Sequence, residues 1–363
     1  MIDKEVLSRC ASVTPAVLLL LIVGCWDATI LGTQIEVDTY STDSNDPLES
    51  DTDTGSDTGT GCGIPSQFQW SSTGPLISSP ATTEDIKDPS VVFFNGQWNV
   101  YATTAAEHLT LTYLKFSEWE TADQVEKQLI TENPDFSGYM AAPQLFFFGP
   151  HNLWYLVFQA QDQIPSYATA VDPGNVRNWT APMQLMPMPA LLTDNDFQGF
   201  DYWTICDDVT CYLFFTALNG ILYRSSTPKS DFPNGFEGTT KIVMKDDNNT
   251  SALFDACNVY RLADTGKYLL LVSAIGGTGR YSRSWTADRL DGEWTALADT
   301  EANSFASMNN AAGADWSGFG ISHGEMLRQN PDETMTIDTC NMQFLFSGLT
   351  DTGYELGLLS LVR

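Results

Sequence analysis

Basic residues are scarce in this sequence: 17 Lys and Arg stand against 46 Asp and Glu, for a formal net charge of −29. So acidic a chain is repelled by nucleic acid phosphates and by anionic membrane surfaces, which excludes both as partners of a folded domain. Neutral ligands stay open. No two cysteines form a Cys-x-x-Cys pair, which removes the usual thiolate zinc sites. Histidine occurs only three times, and of these His108 and His151 have no motif around them and read as surface residues, which leaves His323. Between Cys62 and Arg363 no long run carries the 3.6-residue apolar period of an amphipathic helix.

What is present divides the chain into three. Residues 1–24 have a basic start (Lys4, Arg9) and an apolar run, Ala16 to Val23, too short to cross a bilayer comfortably. The run ends in Ile22-Val23-Gly24-Cys25, which resembles a bacterial lipobox, with Cys25 as the lipidated residue; an ordinary secretory signal and a cytosolic protein with an apolar N-terminus are the alternatives. Residues 25–61 are a tether. From Trp26 to Gly61 there are nine acidic and no basic residues among Ser, Thr and Gly, a composition that cannot bury enough apolar surface to offset its ordering entropy. Residues 62–363 hold the aromatics and are ample for a large core. An exported protein, lipid-anchored at the cell envelope or secreted, and monomeric, is expected.

Cysteine usage suits an oxidising compartment. Cys206 and Cys211 flank four residues, a spacing a tight hairpin can bridge. Cys62 and Cys340 stand at opposite ends of the domain, and a bond between them would close a long loop and clamp the termini. Cys257 is left over and is expected to be buried.

Aromatic-rich strands recur at Trp98–Thr103, Trp154–Gln159, Cys211–Thr216, Lys267–Ser273 and Gln343–Ser347, with starts 56, 57, 56 and 76 residues apart. Turn residues precede several of them, Asn95-Gly96 being the strongest hairpin signal. Five strand-rich units in about 300 residues predict an all-β, five-bladed β-propeller, with roughly 60 residues per blade. A two-sheet sandwich would space its strands more closely and evenly. In a propeller, loops at one end of the axis enclose a pocket where acids distant in sequence meet.

Three segments set an acid in dense apolar context. Asp88 precedes Pro89, which holds it out of helical geometry and places it at the mouth of a strand, as a turn acid or a functional one. Asp201 and Asp255 lie in Gly199-Phe-Asp-Tyr-Trp203 and Leu253-Phe-Asp-Ala256, where burial demands a partner or a raised pKa. Asp207 and Asp208 look like solvated turn acids. Glycoside hydrolysis needs two carboxyl groups, one to protonate the leaving oxygen and one to activate water or attack.

With these residues the chain resembles glycoside hydrolase family 62, the α-L-arabinofuranosidases that trim arabinose from arabinoxylan. The resemblance runs from Phe68 almost to the C-terminus. It includes Tyr139-Met-Ala-Ala-Pro143, Trp203-Thr-Ile-Cys-Asp-Asp208, Leu222-Tyr-Arg-Ser-Ser-Thr-Pro228, Arg283-Ser-Trp-Thr-Ala-Asp288, Leu290-Asp-Gly-Glu-Trp294 and Ile321-Ser-His-Gly-Glu-Met326. It implies a five-bladed propeller and an inverting hydrolase acting on arabinoxylan or arabinan. Asp88 matches the general base, Asp201 the acid that tunes the proton donor, and Asp255 the general acid.

The family has Glu where Asp255 stands. The shorter side chain draws the carboxyl back by roughly 1–1.5 Å, and misplacement of about 1 Å costs on the order of a hundredfold in rate. The family also commonly has His at Asn99 and Glu at Ser273, both expected near the pocket. His323, otherwise read as a core histidine, matches the family's His beside a structural calcium; the chemistry itself needs no cofactor. Lys87, Arg283 and Tyr354 are expected substrate contacts, with Lys87 keeping Asp88 ionised. Arg283 reads equally as a structural ion pair, and Tyr354 as packing of the last blade. The alternatives to an arabinofuranosidase are a carbohydrate-binding propeller with weak or lost catalysis, and a β-xylosidase-like pentosidase of the related family 43.

Overall fold

The computed structural model describes residues 62–192 and 200–363. The expected signal peptide, the tether and Cys25 lie outside the described residues. After β1 (Trp70–Ile77), a first sheet holds β2 (Glu84–Phe94), β3 (Gln97–Ala105), β4 (Leu109–Phe116) and β5 (Gln128–Leu129). A second holds β6 (Ala141–Phe148), β7 (Leu153–Gln159), β8 (Pro165–Ala170) and β9 (Met183–Gln184). The third contains β10 (Phe200–Cys206), β11 (Thr210–Thr216), β12 (Ile221–Pro228) and β13 (Lys241–Lys245). The fourth is built on β14 (Asp255–Leu262), β15 (Tyr268–Gly276), β16 (Gly279–Ala287) and β17 (Thr295–Thr300), with β18 (Asn303–Ser304) at one edge. Then follow β19 (Ala311–Ala312), β20 (Gly324–Met326), β21 (Thr336–Ile337), β22 (Gln343–Thr350) and β23 (Gly353–Leu361). β21 joins the other edge of the fourth sheet, and the fifth runs β19-β1-β23-β22-β20.

These five sheets are the blades of the expected propeller, with β2, β6, β10, β14 and β20 innermost. The five recurrent strands of the sequence are β3, β7, β11, β15 and β22, each second from the axis. Such strands are sandwiched, so both faces must be apolar. In β7, Trp154, Leu156 and Phe158 enter one core cluster, while Tyr155 and Val157 enter another. In β3, Tyr101 faces one cluster, and Val100 and Ala102 the next. Consecutive aromatic and β-branched residues are therefore what a blade needs, with no polar alternation to announce it.

Turns follow the local chemistry. Asn95 (φ 51°) and Gly96 (φ 74°) make the two-residue hairpin between β2 and β3. The ring closes by pairing β1 antiparallel to β23, from Trp70–Leu361 onward. Cys62–Cys340 and Cys206–Cys211 are both bonded, and Cys257 is free and buried, as expected. Two disulfides are consistent with export.

Candidate active site

Four innermost strands share one irregularity near their first residues. Each carries one extra residue between consecutive rungs, at Lys87/Ser90, Ala141/Gln144, Phe200/Trp203 and Asp255/Cys257. Within each bulge one residue is left-handed: Asp88 (φ 51°), Ala142 (φ 49°), Asp201 (φ 52°) and Ala256 (φ 46°). Such bulges re-aim a side chain where function needs it. Asp88 and Asp201 are thus equivalent positions on two blades, and alanines fill the other two. Asp88 lies inside β2 rather than ahead of it, because the bulge, and not only Pro89, sets its backbone.

In the fifth blade His323 directly precedes β20. Its Nδ1 lies 3.6 Å from Asp88 Oδ1 and 3.6 Å from Asp201 Oδ2. Neighbouring blades are stitched at this level. Asp88 N donates to Ser347 Oγ (2.8 Å), Ser347 Oγ donates to His323 O (2.9 Å), and Ala142 N donates to Thr103 Oγ1 (2.8 Å). Ala256 N donates to Asp201 Oδ2 (3.0 Å), so the third blade's acid also positions the fourth blade's bulge.

Over this ring lies a cavity of about 290 Å³, lined from all five blades. Lys87 and Asp88 come from the first, Tyr139 and Gln159 from the second, and Asp201 from the third. The fourth gives Phe254, Asp255 and Arg280, and the fifth Ser322 and Tyr354. The side chains of Asp88, Asp201 and Asp255 are 16%, 15% and 17% exposed, deep enough to feel burial yet open to the cavity.

Their surroundings separate the acids. Burial opposes ionisation of Asp88, but Lys87, His323 and the Thr103 hydroxyl outweigh it and hold the carboxyl well below the usual range. Asp201 goes the other way: burial, with Asp255 and Asp88 adding to it against His323, pushes it up to about 6. Burial would also lower His323, but Asp201 and Asp88 raise it to about 9, so an imidazolium bridges two carboxyls. Lys87 is raised by Asp88 and lies 5.6 Å from the Tyr354 ring centre. Tyr139 Oη accepts from Gln159 Nε2 (3.0 Å); burial and then Asp201 lift this phenol to about 12.

Asp255 is held by a residue that sequence reasoning missed. Arg280 Nη1 donates to both of its oxygens, at 2.7 and 2.8 Å. The expected arginine, Arg283, is not in the cavity. It donates to Asp299 O (2.5 Å) and Ala252 O (2.7 Å), approaches Asp299 Oδ2 at 3.6 Å and covers Trp285, the structural reading of that residue. Asn99 is also displaced from expectation. It is buried against Tyr113 Oη (2.7 Å), four residues along β3 from Thr103, about 13 Å away at strand rise. Ser273 does adjoin the site, paired with Asp255 across the ladder.

Calcium takes six to eight oxygen ligands. Among the described residues no three His, Cys, Asp or Glu side chains converge as a metal site, and the His323 imidazole has Nδ1 turned to two carboxyls. The residues present do not fit a calcium ion; nearly all of its shell would have to be water. Further along the fifth blade's inner strand, Glu325 and Arg328 form a buried ion pair (2.6 Å), and Arg328 Nη2 donates to Leu145 O (2.8 Å) in the second blade.

The profile described as Glycosyl hydrolase family 62 matches residues 69–356, nearly the whole described domain. This chain belongs to that family. The α-L-arabinofuranosidase C of Cellvibrio japonicus (strain Ueda107) is 43% identical over 317 residues, covering 83% of this chain and 48% of that protein. The chain thus spans about half the length of the curated relative it matches. The catalytic domain of the Coprinopsis cinerea family 62 α-L-arabinofuranosidase matches with TM-score 0.78 at 42% identity, over 82% of this chain and 98% of that one. A family 62 hydrolase solved in complex with xylotriose matches with TM-score 0.76 at 38% identity, over 81% and 98%. In this family 62 domain, then, five of the six residues expected to act on a sugar line one cavity, and only Arg283 does not.

Proposed function

We propose that this family 62 member is an inverting α-L-arabinofuranosidase that removes terminal arabinofuranosyl side chains from arabinoxylan or arabinan. The observation that carries this reading is the convergence of three acids from three blades on one cavity of about 290 Å³. That volume lies at the small end of ligand pockets. It suits one pentose ring rather than a stretch of backbone, as trimming of single branches requires.

Asp88, kept ionised beside Lys87, takes a proton from a water whose oxygen attacks the anomeric carbon. The glycosidic C–O bond breaks on the opposite face, and Asp255 gives its proton to the departing oxygen. Asp201 stands next to both and shares its charge with His323, tuning the donor. Lys87 and Tyr354 form the edge against which sugar hydroxyls and a ring face pack. We further propose export, with Cys25 as lipid anchor, and a monomer with the glycan as its only partner.

One observation favours a second reading, a carbohydrate-binding propeller. Both Asp255 oxygens are already engaged by Arg280, and Asp255 is shorter than the Glu this family uses. Arabinose release from wheat arabinoxylan by the wild type, Asp255→Asn and Asp255→Glu separates the two. An active wild type and an Asn variant slowed on the order of 10²-fold or more support the enzyme. A silent wild type with an active Glu variant supports the binder, and xylose in place of arabinose would point to a pentosidase of the other kind.

A further inference from the structure

We propose that Arg280 is the positioning residue that governs Asp255, holding the carboxyl against the β16 wall of the cavity and thereby setting how alkaline a solution the reaction tolerates. The inference rests on the hydrolase reading and deepens it. Both of Arg280's side-chain hydrogen bonds go to Asp255, at 2.7 and 2.8 Å, and its Nε is buried without a partner. Its guanidinium lies over the ring of Phe254, the residue before Asp255, at 5.1 Å, so the turn that leads into β14 helps hold the cation.

Strand register explains why Arg280 turns to this acid. Asp255 pairs with Ser273, and Ser273 with Ser282. Arg280 is two residues from Ser282 and shares its face. The one side chain between them is the Ser273 hydroxyl, which is buried and has no partner. No second carboxylate stands there to take Arg280 from Asp255. The other charges around the pair are Asp201 on β10 and His323 beside β20, which act on Asp255, and Asp88 on β2 and Tyr354 on β23, which act on Arg280. Lys87 adds a second cation on the first blade's side.

A carboxyl that carries a proton is a poorer acceptor than a carboxylate, so this double grip weakens whenever Asp255 is ready to donate. A neighbouring arginine favours the charged form of a carboxyl. That preference is what a substitution of Arg280 removes.

The test uses the full chain, as wild type, Arg280→Gln, Arg280→Met and Arg280→Lys. Two readouts are followed: the pH profile of arabinose release, and the ¹³Cγ titration of Asp255, assigned with Asp255→Asn. In the two uncharged variants the alkaline limb and the carbon midpoint should both rise by about one pH unit or more. The variant-to-wild-type rate ratio then grows about tenfold from the optimum to the alkaline side. Arg280→Lys, which keeps the charge but not the fixed fork, should hold the carbon midpoint nearer the wild-type value than either uncharged variant does. An unmoved carbon midpoint in whichever uncharged variant folds would overturn the proposal, as would a loss of rate equal at every pH. If no form releases arabinose while the carbon midpoint still rises, the clamp stands and the hydrolase reading fails.

Discussion

His323 holds the balance of charge at the axis. Its folded pKa, about 9, exceeds the ordinary 6.5, because Asp201 and Asp88 outweigh its burial. A group raised in this way stabilises the fold fully below about pH 6.5 and loses that contribution as pH climbs through 9. Melting temperature should therefore fall by several degrees between pH 6.5 and 9.5, and His323→Gln should flatten that part of the curve. An unchanged curve would mean the imidazole is neutral. Asp88→Asn is expected to cost on the order of 10³-fold in arabinose release, with circular dichroism unaltered. Asp201 is a raised acid, pushed up to about 6, so its ionisation costs stability once pH exceeds the ordinary carboxyl range. Asp201→Asn should accordingly lose activity without lowering the melting temperature at pH 8.

Most of the site was legible at this scale because its residues sit in short, chemically odd strings: a carboxyl before Pro89, acids among aromatics, a lone His323. The arginine was not. Arg280 and Arg283 lie three residues apart on β16, and an odd offset puts them on opposite faces of a strand. Arg283 shares its face with Trp285 and packs there, while Arg280 reaches Asp255. Only the register of β14, β15 and β16 decides which of the two faces the acid, and no local pattern encodes it.

Elements tell a similar story. The second strand of each blade announced itself because it is buried on both faces, and Asn95-Gly96 marked its hairpin. The bulges did not, since an alanine at φ 46° or 49° looks like any other alanine in sequence. The wider 76-residue interval arose from the short elements β18 to β21, too brief to show a period. Trp154, 1% exposed, fills the interface of the first and second blades against Phe94 and Phe147. Trp154→Ala should destabilise by about 3–5 kcal/mol, read from the urea midpoint at constant slope. A loss under 1 kcal/mol would mean these blades do not depend on one another.

For the whole molecule, closure is the decisive feature. The Cys62–Cys340 bond spans 278 residues, whereas Cys206–Cys211 spans 5 within a hairpin. Chain entropy makes the first worth roughly 5 kcal/mol and the second roughly 2 kcal/mol. Replacing the Cys62–Cys340 pair by serines should lower the melting temperature clearly more than replacing the Cys206–Cys211 pair. An equal effect would mean that β1–β23 pairing alone keeps the ring shut. Arg363, which donates to Cys62 O, Gly63 O and Thr339 O, ties the last residue into the same corner.

That corner also has an address. β21 pairs with the far end of β14, Arg261 and Leu262, whereas the cavity gathers round that strand's first residue, Asp255. Cys340 follows β21 by three residues, so Cys62, bonded to it, lies on the side of the ring away from the cavity. A domain grafted through residue 62 to a bead or an electrode would present its mouth outward. For the proposed hydrolase that is a built-in orientation, and it leaves the cavity face unobstructed.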